Sequence, residues 1–274
     1  MDSTHLSRRQ LLQWAGSGTL ALGTLGWFSS TANADPAQLA SRIEKADTKH
    51  PLIPAIEKAY TSLEKLQAVK DYTALFTKEE KIGRSLAKSQ MELKLRENPF
   101  SVYLKFRSPS AGREVMFVEG RNKNMLQAHD VGLRGLAGTI SLDPTGAMAM
   151  EGNRHPATMI GMRKMVETAI ENWLDEMPLK GVQVNVFENS RLGDVACTLV
   201  ESSYQQSQQG IHFQMTRLYI EHETGFPVKV QQYEFAARNS GAPVLVEDYT
   251  YAQIKANVGL TDADFDTKNK AYNF

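Results

Sequence analysis

The side chains of this 274-residue chain with the widest chemical repertoire beyond its first 34 positions are few: His50, His129, His155, His212, His222 and a single cysteine, Cys197. Metal binding needs several imidazole, thiolate or carboxylate groups brought together by favourable spacing, and no HExxH or paired Cys motif occurs. Glu221-His222-Glu223 comes closest, but it falls at a predicted hairpin turn, where alternate side chains splay to opposite faces. His129-Asp130 pairs a base with a carboxylate, but adjacent residues seldom achieve the orienting geometry. Cys197 sits in the alternating run Val195-Ala196-Cys197-Thr198-Leu199, which reads as a packed thiol and not a nucleophile. The Gly16-Ser17-Gly18 triplet lies outside the folded part, and no Gly-rich phosphate loop with its Lys is present. These residues predict no catalytic group, no metal and no cofactor. One polar constellation stands as the alternative: Asn153-Arg154-His155-Pro156 together with Arg113 and His129 would form an enzyme or polar-ligand site if they converge within about 10 Å.

A different chemistry is suggested by methionine. Met148, Met150, Met159, Met162, Met165 and Met177 crowd into one segment and make up six of the eleven in the chain. Flexible, polarizable thioethers suit either a seal between a helix and a sheet or a surface that repacks around variable apolar ligands. Met162, Met165, Val166, Ala169, Ile170, Trp173, Leu174 and Met177 recur at three-four spacing and predict a helix from about Thr158 to Met177 with one apolar stripe. Phe100, Val102, Leu104 and Phe106 alternate with Ser101, Tyr103, Lys105 and Arg107, predicting a strand with one buried face. A ligand held between these elements would touch Phe100, Val102, Leu104 and Phe106 on the sheet and Met159, Met162, Met165 and Trp173 on the helix.

The remaining elements must position that pair. Asp35-Pro36-Ala37-Gln38 reads as a helix start, with Asp35 as N-cap and Pro36 at the first helical position. Leu52, Ile53, Ile56, Tyr60, Leu63 and Leu66 predict a second amphipathic helix. From Val69 the period becomes two. Met91 to Leu95, Arg113 to Glu119 and Lys123 to His129 extend a meander around Asn98-Pro99 and Gly120-Arg121-Asn122. An irregular segment begins at Ile140, and the strand pattern resumes in 182–188, 191–201, 211–222, 227–235 and 244–255. Glu223-Thr224-Gly225 supplies a tight turn, and 202–210 reads as an exposed loop. About ten strands, two N-terminal helices and one inserted helix define an α+β class. A sheet that wide curls, so the expectation is a curved antiparallel half-barrel with the inserted helix as a lid on its concave face.

Residues 1–34 are read as an export signal. Ser7-Arg8-Arg9-Gln10-Leu11-Leu12 resembles a twin-arginine motif, Leu11 to Phe28 is mildly apolar, and Ala32-Asn33-Ala34 offers a small-residue cleavage site. The expectation is a soluble periplasmic or otherwise extracytoplasmic single domain over 35–274, without a transmembrane segment. No Cys follows the cleavage site, so no lipid anchor is expected there. With 31 basic and 31 acidic residues the chain lacks the charge for phosphate-driven nucleic-acid binding.

Three stretches resemble the outer-membrane lipoprotein carrier family: Leu93 to Phe100 with Tyr103-Leu104-Lys105-Phe106, then Thr224-Gly225-Phe226-Pro227, then Tyr249-Thr250-Tyr251 with Asn257-Val258-Gly259-Leu260 and Asp264-Phe265. Gly112-Arg113-Glu114-Val115, Gly120-Arg121-Asn122, Ala128-His129 and Asn153-Arg154-His155-Pro156 are similar to a family of exported bacterial proteins known only as a domain of unknown function. The resemblance implies a half-barrel that binds acyl chains, and it marks Arg96 as the nearest match to an arginine that holds the lid closed. The expected function is a non-enzymatic binding or carrier protein for a lipid or a lipoprotein acyl chain. A scaffold role with an envelope protein partner is the other alternative.

Overall fold

The computed structural model describes residues 36–236 and 241–274; the export-signal reading of 1–34 and the cap role of Asp35 lie outside the described residues. Helix α1 runs Pro36–Glu44 and α2 runs Ile53–Lys65, with Pro54 in the first turn of α2, where its missing N–H costs nothing. Eleven strands follow: β1 Asp71–Ile82, β2 Ser85–Arg96, β3 Ser101–Ser108, β4 Glu114–Val118, β5 Leu126–His129, β6 Ile140–Leu142, β7 Val182–Leu192, β8 Val195–Tyr204, β9 Met215–Glu221, β10 Pro227–Glu234 and β11 Val244–Ala256. Between β6 and β7 the chain forms α3, Ala147–Met150, and α4, Met162–Glu176.

All eleven strands belong to one open sheet in the order β6-β5-β4-β3-β2-β1-β11-β10-β9-β8-β7, and every neighbouring pair is antiparallel. Two meanders, β1 to β6 and β7 to β11, are therefore joined where β1 pairs with β11 at the centre. Consecutive strands β6 and β7 end up at opposite edges, so residues 143–181 must cross a whole face of the sheet. That face is the concave one, and α4 is the crossing element. The protein is a curved α+β half-barrel.

The main core lies between this face and the helices. Tyr72, Phe76, Met91, Leu93, Leu95, Val102, Leu104, Val200, Leu218 and Val230 from the strands meet Ala55, Ile56, Ala59 and Leu63 of α2 and Met162, Val166, Ala169, Ile170 and Trp173 of α4. The period-two strands and the three-four spacing of both helices give each element one apolar face, and burying those faces together is the dominant favourable term in the fold.

Several local readings change. The sheet has an eleventh strand, β6, inside the segment expected to be irregular from Ile140. The second hairpin turns at Gly193-Asp194, so Arg191 and Leu192 finish β7 and do not start β8. Strand β8 runs on through Ser202 and Tyr204, both buried, into the segment expected to be an exposed loop. The crossover helix starts at Met162, after a separate short turn at Ala157–Met159. Finally, β3 buries both faces: Tyr103 is 3% exposed because the C-terminal tail returns across the convex side, where Phe265, Tyr272 and Phe274 pack against Tyr103, Met116 and Val118.

Candidate functional site

The apolar candidates converge. Val102 and Leu104 on β3 and Met162, Met165 and Trp173 on α4 are buried members of one cluster, and Phe100 and Phe106 pack against it from partly buried positions. Met159 is half-buried in the short turn before α4. Trp173 is 1% exposed, and its indole N–H donates to Ser202 Oγ at 2.8 Å, so the largest side chain of the cover is fixed in orientation as well as depth.

The start of α4 is fastened by aromatic hydroxyls. The first N–H groups of a helix have no partner within it. Here Gly161 N donates to Tyr251 Oη at 2.9 Å and Met162 N to Tyr72 Oη at 3.0 Å. Burial pushes both phenol pKa values up, keeping the oxygens neutral. Gly161 has φ of 137°, a backbone conformation that side-chain-bearing residues rarely adopt, and a Cβ there would press on Leu95 Cδ1 at 3.1 Å. Arg163 adds a clamp, donating to the Leu66 carbonyl at 2.6 Å and to Glu97 at 3.1 Å. At the far end Glu176 accepts from His212 N at 2.9 Å, and Asp175 pairs with Arg42 of α1 at 2.6 Å.

A polar latch closes the crossover nearer its beginning. Glu80 of β1 and Glu247 of β11 face each other in the ladder, each only 2% exposed. Two carboxylates directly opposite one another require cations. Lys78 pairs with Glu80 at 2.8 Å and also bonds Asn153; Tyr249 Oη donates to Glu80 at 2.6 Å. The crossover supplies the rest. Arg154 donates through Nε to Glu247 at 2.7 Å and through its backbone N–H to Glu80 at 3.2 Å, while His155 Nε2 lies 3.1 Å from Glu247. Burial pushes the Glu247 carboxyl up, but the hydrogen bond and charge of His155 and the Arg154 guanidinium outweigh it, and the net shift is downward.

Arg154 and His155 thus share one carboxylate, as a polar site would require. Arg113 and His129 are elsewhere: the Arg113 guanidinium lies 5.3 Å over the Phe106 ring, and His129 on β5 stands opposite Glu114, with β4, β3, β2 and β1 between its strand and β11. Arg96 points to the convex face, bonding Asp262 at 2.8 Å and lying 5.0 Å from the Phe265 ring centroid. The arginines that fasten the crossover are Arg154 near its beginning and Arg163 on the helix itself. Cys197 is fully buried, and burial pushes its thiol pKa up, which suits packing and not nucleophilic attack. No group of three or more His, Cys, Asp or Glu side chains positioned for a metal ion occurs among the described residues. None of their helices is long and apolar enough to cross a membrane.

Sequence reasoning missed Glu80, Glu247, Lys78, Tyr72 and Tyr251. Tyr249-Thr250-Tyr251 signals a strand presenting both tyrosines on one face, but pairing them with Gly161 and Glu80 spans 90 and 169 residues. A separate groove of about 470 Å³ lies between α2 and the ends of β8 and β9, lined by Lys58, Lys65, Thr198, Glu221, His222 and Gly225 among others.

With that geometry in place, the sequence matches the family model "Protein of unknown function (DUF1571)" over residues 69–274, and the chain belongs to this family. The matched region begins just before β1 and takes in the whole sheet, the crossover and the tail. No curated protein matches the sequence. Among solved structures the chain is similar to LprF from Mycobacterium bovis (10% identity, 77% of this chain and 97% of that one, TM-score 0.44). It is also similar to the lipoprotein LppX from Mycobacterium tuberculosis (11% identity, 78% and 99%, TM-score 0.43). A LolA superfamily protein from Nitrosomonas europaea is a further match (14% identity, 76% and 97%, TM-score 0.31).

Proposed function

We propose that the protein is a non-enzymatic, extracytoplasmic carrier or binding protein that shields an apolar ligand, such as a lipid or a lipoprotein acyl chain, between the concave sheet and α4. The supporting observation is topological. The apolar face of an open eleven-stranded sheet is covered by a crossover that contributes no strand to the central ladder, so α4 can separate from the face while the β1 to β5 and β7 to β11 pairings stay intact. A cover of that kind exchanges helix methionines for ligand contacts with little change in the apolar area kept from water. Phe100, Val102, Leu104 and Phe106 would form the floor, and Met159, Met162, Met165 and Trp173 the underside of the cover. Residues 1–34 would direct export by the twin-arginine route, with cleavage near Ala34 leaving one domain over 35–274.

Native mass spectrometry of protein recovered from its own host's envelope compartment tests this reading. The expected result is a bound species of lipid-like mass that organic extraction removes. A ligand-free spectrum, together with no uptake of a fluorescent fatty acid, overturns it.

A further inference from the structure

The described residues expose few large apolar side chains, and the two most exposed stand together: Leu133 at 88% and Leu136 at 84%. Both lie in the 3₁₀ turn Gly132–Ala137 of the loop joining β5 to β6. A 3₁₀ helix has three residues per turn, so positions 133 and 136 project from the same side. Val131 and Ile140, at 36% and 38%, flank them at the base of the hairpin. Gly132 and Gly138 take φ of 64° and 69°, which lets the chain turn sharply at both ends of the tip. The result is a short apolar finger at the edge of the sheet.

We propose that this finger, Val131 to Ile140, docks the protein on a lipid bilayer by inserting Leu133 and Leu136 into the interfacial layer. A second protein copy is a poorer occupant. A stable interface needs about 800 Å² from each partner, whereas two leucines with two partly exposed neighbours on a ten-residue loop offer roughly a few hundred. The charge pattern also suits lipid. From Val131 to Leu142 the sequence carries one basic residue, Arg134, and no acidic one, and the nearest carboxylates, Asp130 and Asp143, stand at the two ends of the loop and not at its tip. Both keep their charge while accepting backbone N–H groups, Asp130 from Val131 at 2.9 Å and Asp143 from Thr145 at 2.8 Å.

The strand register gives the finger its place. His129 is opposite Glu114 and Ile140 opposite Ala128, which puts the tip at the end of the sheet that also holds the β1–β2 turn and the Glu80–Glu247 pair. Asn153, Arg154 and His155 latch the crossover at that same end. Docking through the finger therefore brings the latched end of the cover towards the bilayer. This deepens the carrier reading and rests on it for the direction of ligand transfer, but the docking itself is measured without any ligand.

The test is flotation of the purified protein with phosphatidylcholine vesicles and with vesicles containing phosphatidylglycerol, compared with the double variant Leu133→Glu/Leu136→Glu. Binding to both vesicle types is expected, with the variant weakened by roughly 100-fold, since each leucine kept out of lipid forfeits about tenfold or more. Separately, Leu133→Trp is expected to show blue-shifted emission on vesicles and quenching by brominated lipid. The thermal midpoint of the double variant serves as the folding control. Absence of flotation, equal flotation of the variant, or a dimer in light scattering that the variant converts to monomer would each overturn the proposal. Fatty-acid uptake by the same double variant separates the two readings. Uptake retained by the variant with its flotation lost supports both, whereas flotation of the unaltered protein that the variant loses, with no uptake by either, leaves docking in place and removes the carrier.

Discussion

The two faces of the sheet are closed by different physics. On the concave side a long apolar surface meets α2 and α4, and polar groups act only as fasteners at particular points: Tyr72 and Tyr251 at the start of α4, Ser202 under Trp173, and Glu80 with Glu247 beneath Arg154. On the convex side the tail after β11 closes a much smaller core of Tyr103, Met116, Val118 and Phe265 with aromatic stacking and ion pairs. Tyr272 stacks on Tyr103 with ring centroids 4.2 Å apart, Lys94 pairs with Asp264 at 2.8 Å, and Asp262 binds both Arg96 and Arg121. Release is cheaper on the convex side than on the concave one. Ion pairs with exposed partners contribute little, so the strap depends on its few rings; the cover depends on burial, and its fasteners decide its position more than its energy.

The two faces differ most at Trp173. Trp173→Ala empties the centre of the concave core and strands Ser202 without its donor, so a loss of about 3–5 kcal/mol is expected in chemical denaturation. Tyr272→Ala should leave that core intact.

Acidity distinguishes the cover next. Desolvation pushes the carboxyls of Glu167 and Glu176, both on α4, up to about 7. A carboxyl whose folded pKa exceeds its unfolded value binds a proton more tightly when folded. Its stabilising contribution is present below pH 4.5 and disappears as the pH rises through about 7. The cover should therefore loosen from pH 5 to pH 8, by about 3 kcal/mol per group at most. Hydrogen exchange across α4 reads this directly, and Glu167→Gln/Glu176→Gln should flatten the profile. Glu247 works in the opposite sense: its lowered pKa gives stability that is present above pH 4.5 and is lost as acid protonates it. A cover equally protected at pH 5 and pH 8 would contradict this account.

The smallest effect belongs to the strap. Tyr272→Ala removes one stacked ring from a partly exposed site and should cost about 1–2 kcal/mol, with raised proteolysis confined to the residues after β11. Loss of protection in α4 as well would show that the two faces are coupled and not closed independently.

The strand pattern around Phe100 to Arg107, the amphipathic helix through Trp173 and the antiparallel class were legible because each depends on side-chain alternation within a dozen residues. The apolar candidates on β3 and α4 were legible for the same reason. Strand β6 was not, since three residues carry too little periodicity to stand out from the surrounding glycines. Arg96 shows a different limit: its position on β2 followed from alternation, but the group it would bind came from a tail 166 residues later.

Which residues share a face of each strand and helix is written in the local sequence, because steric and solvation preferences act over neighbouring residues. What covers each face follows from contacts between distant segments. Pairing β1 with β11 set Glu80 against Glu247, sent β6 and β7 to opposite edges and forced the crossover over the concave side. Those contacts join positions more than a hundred residues apart, and their selection depends on the burial and charge balance of the whole molecule, which no local pattern encodes.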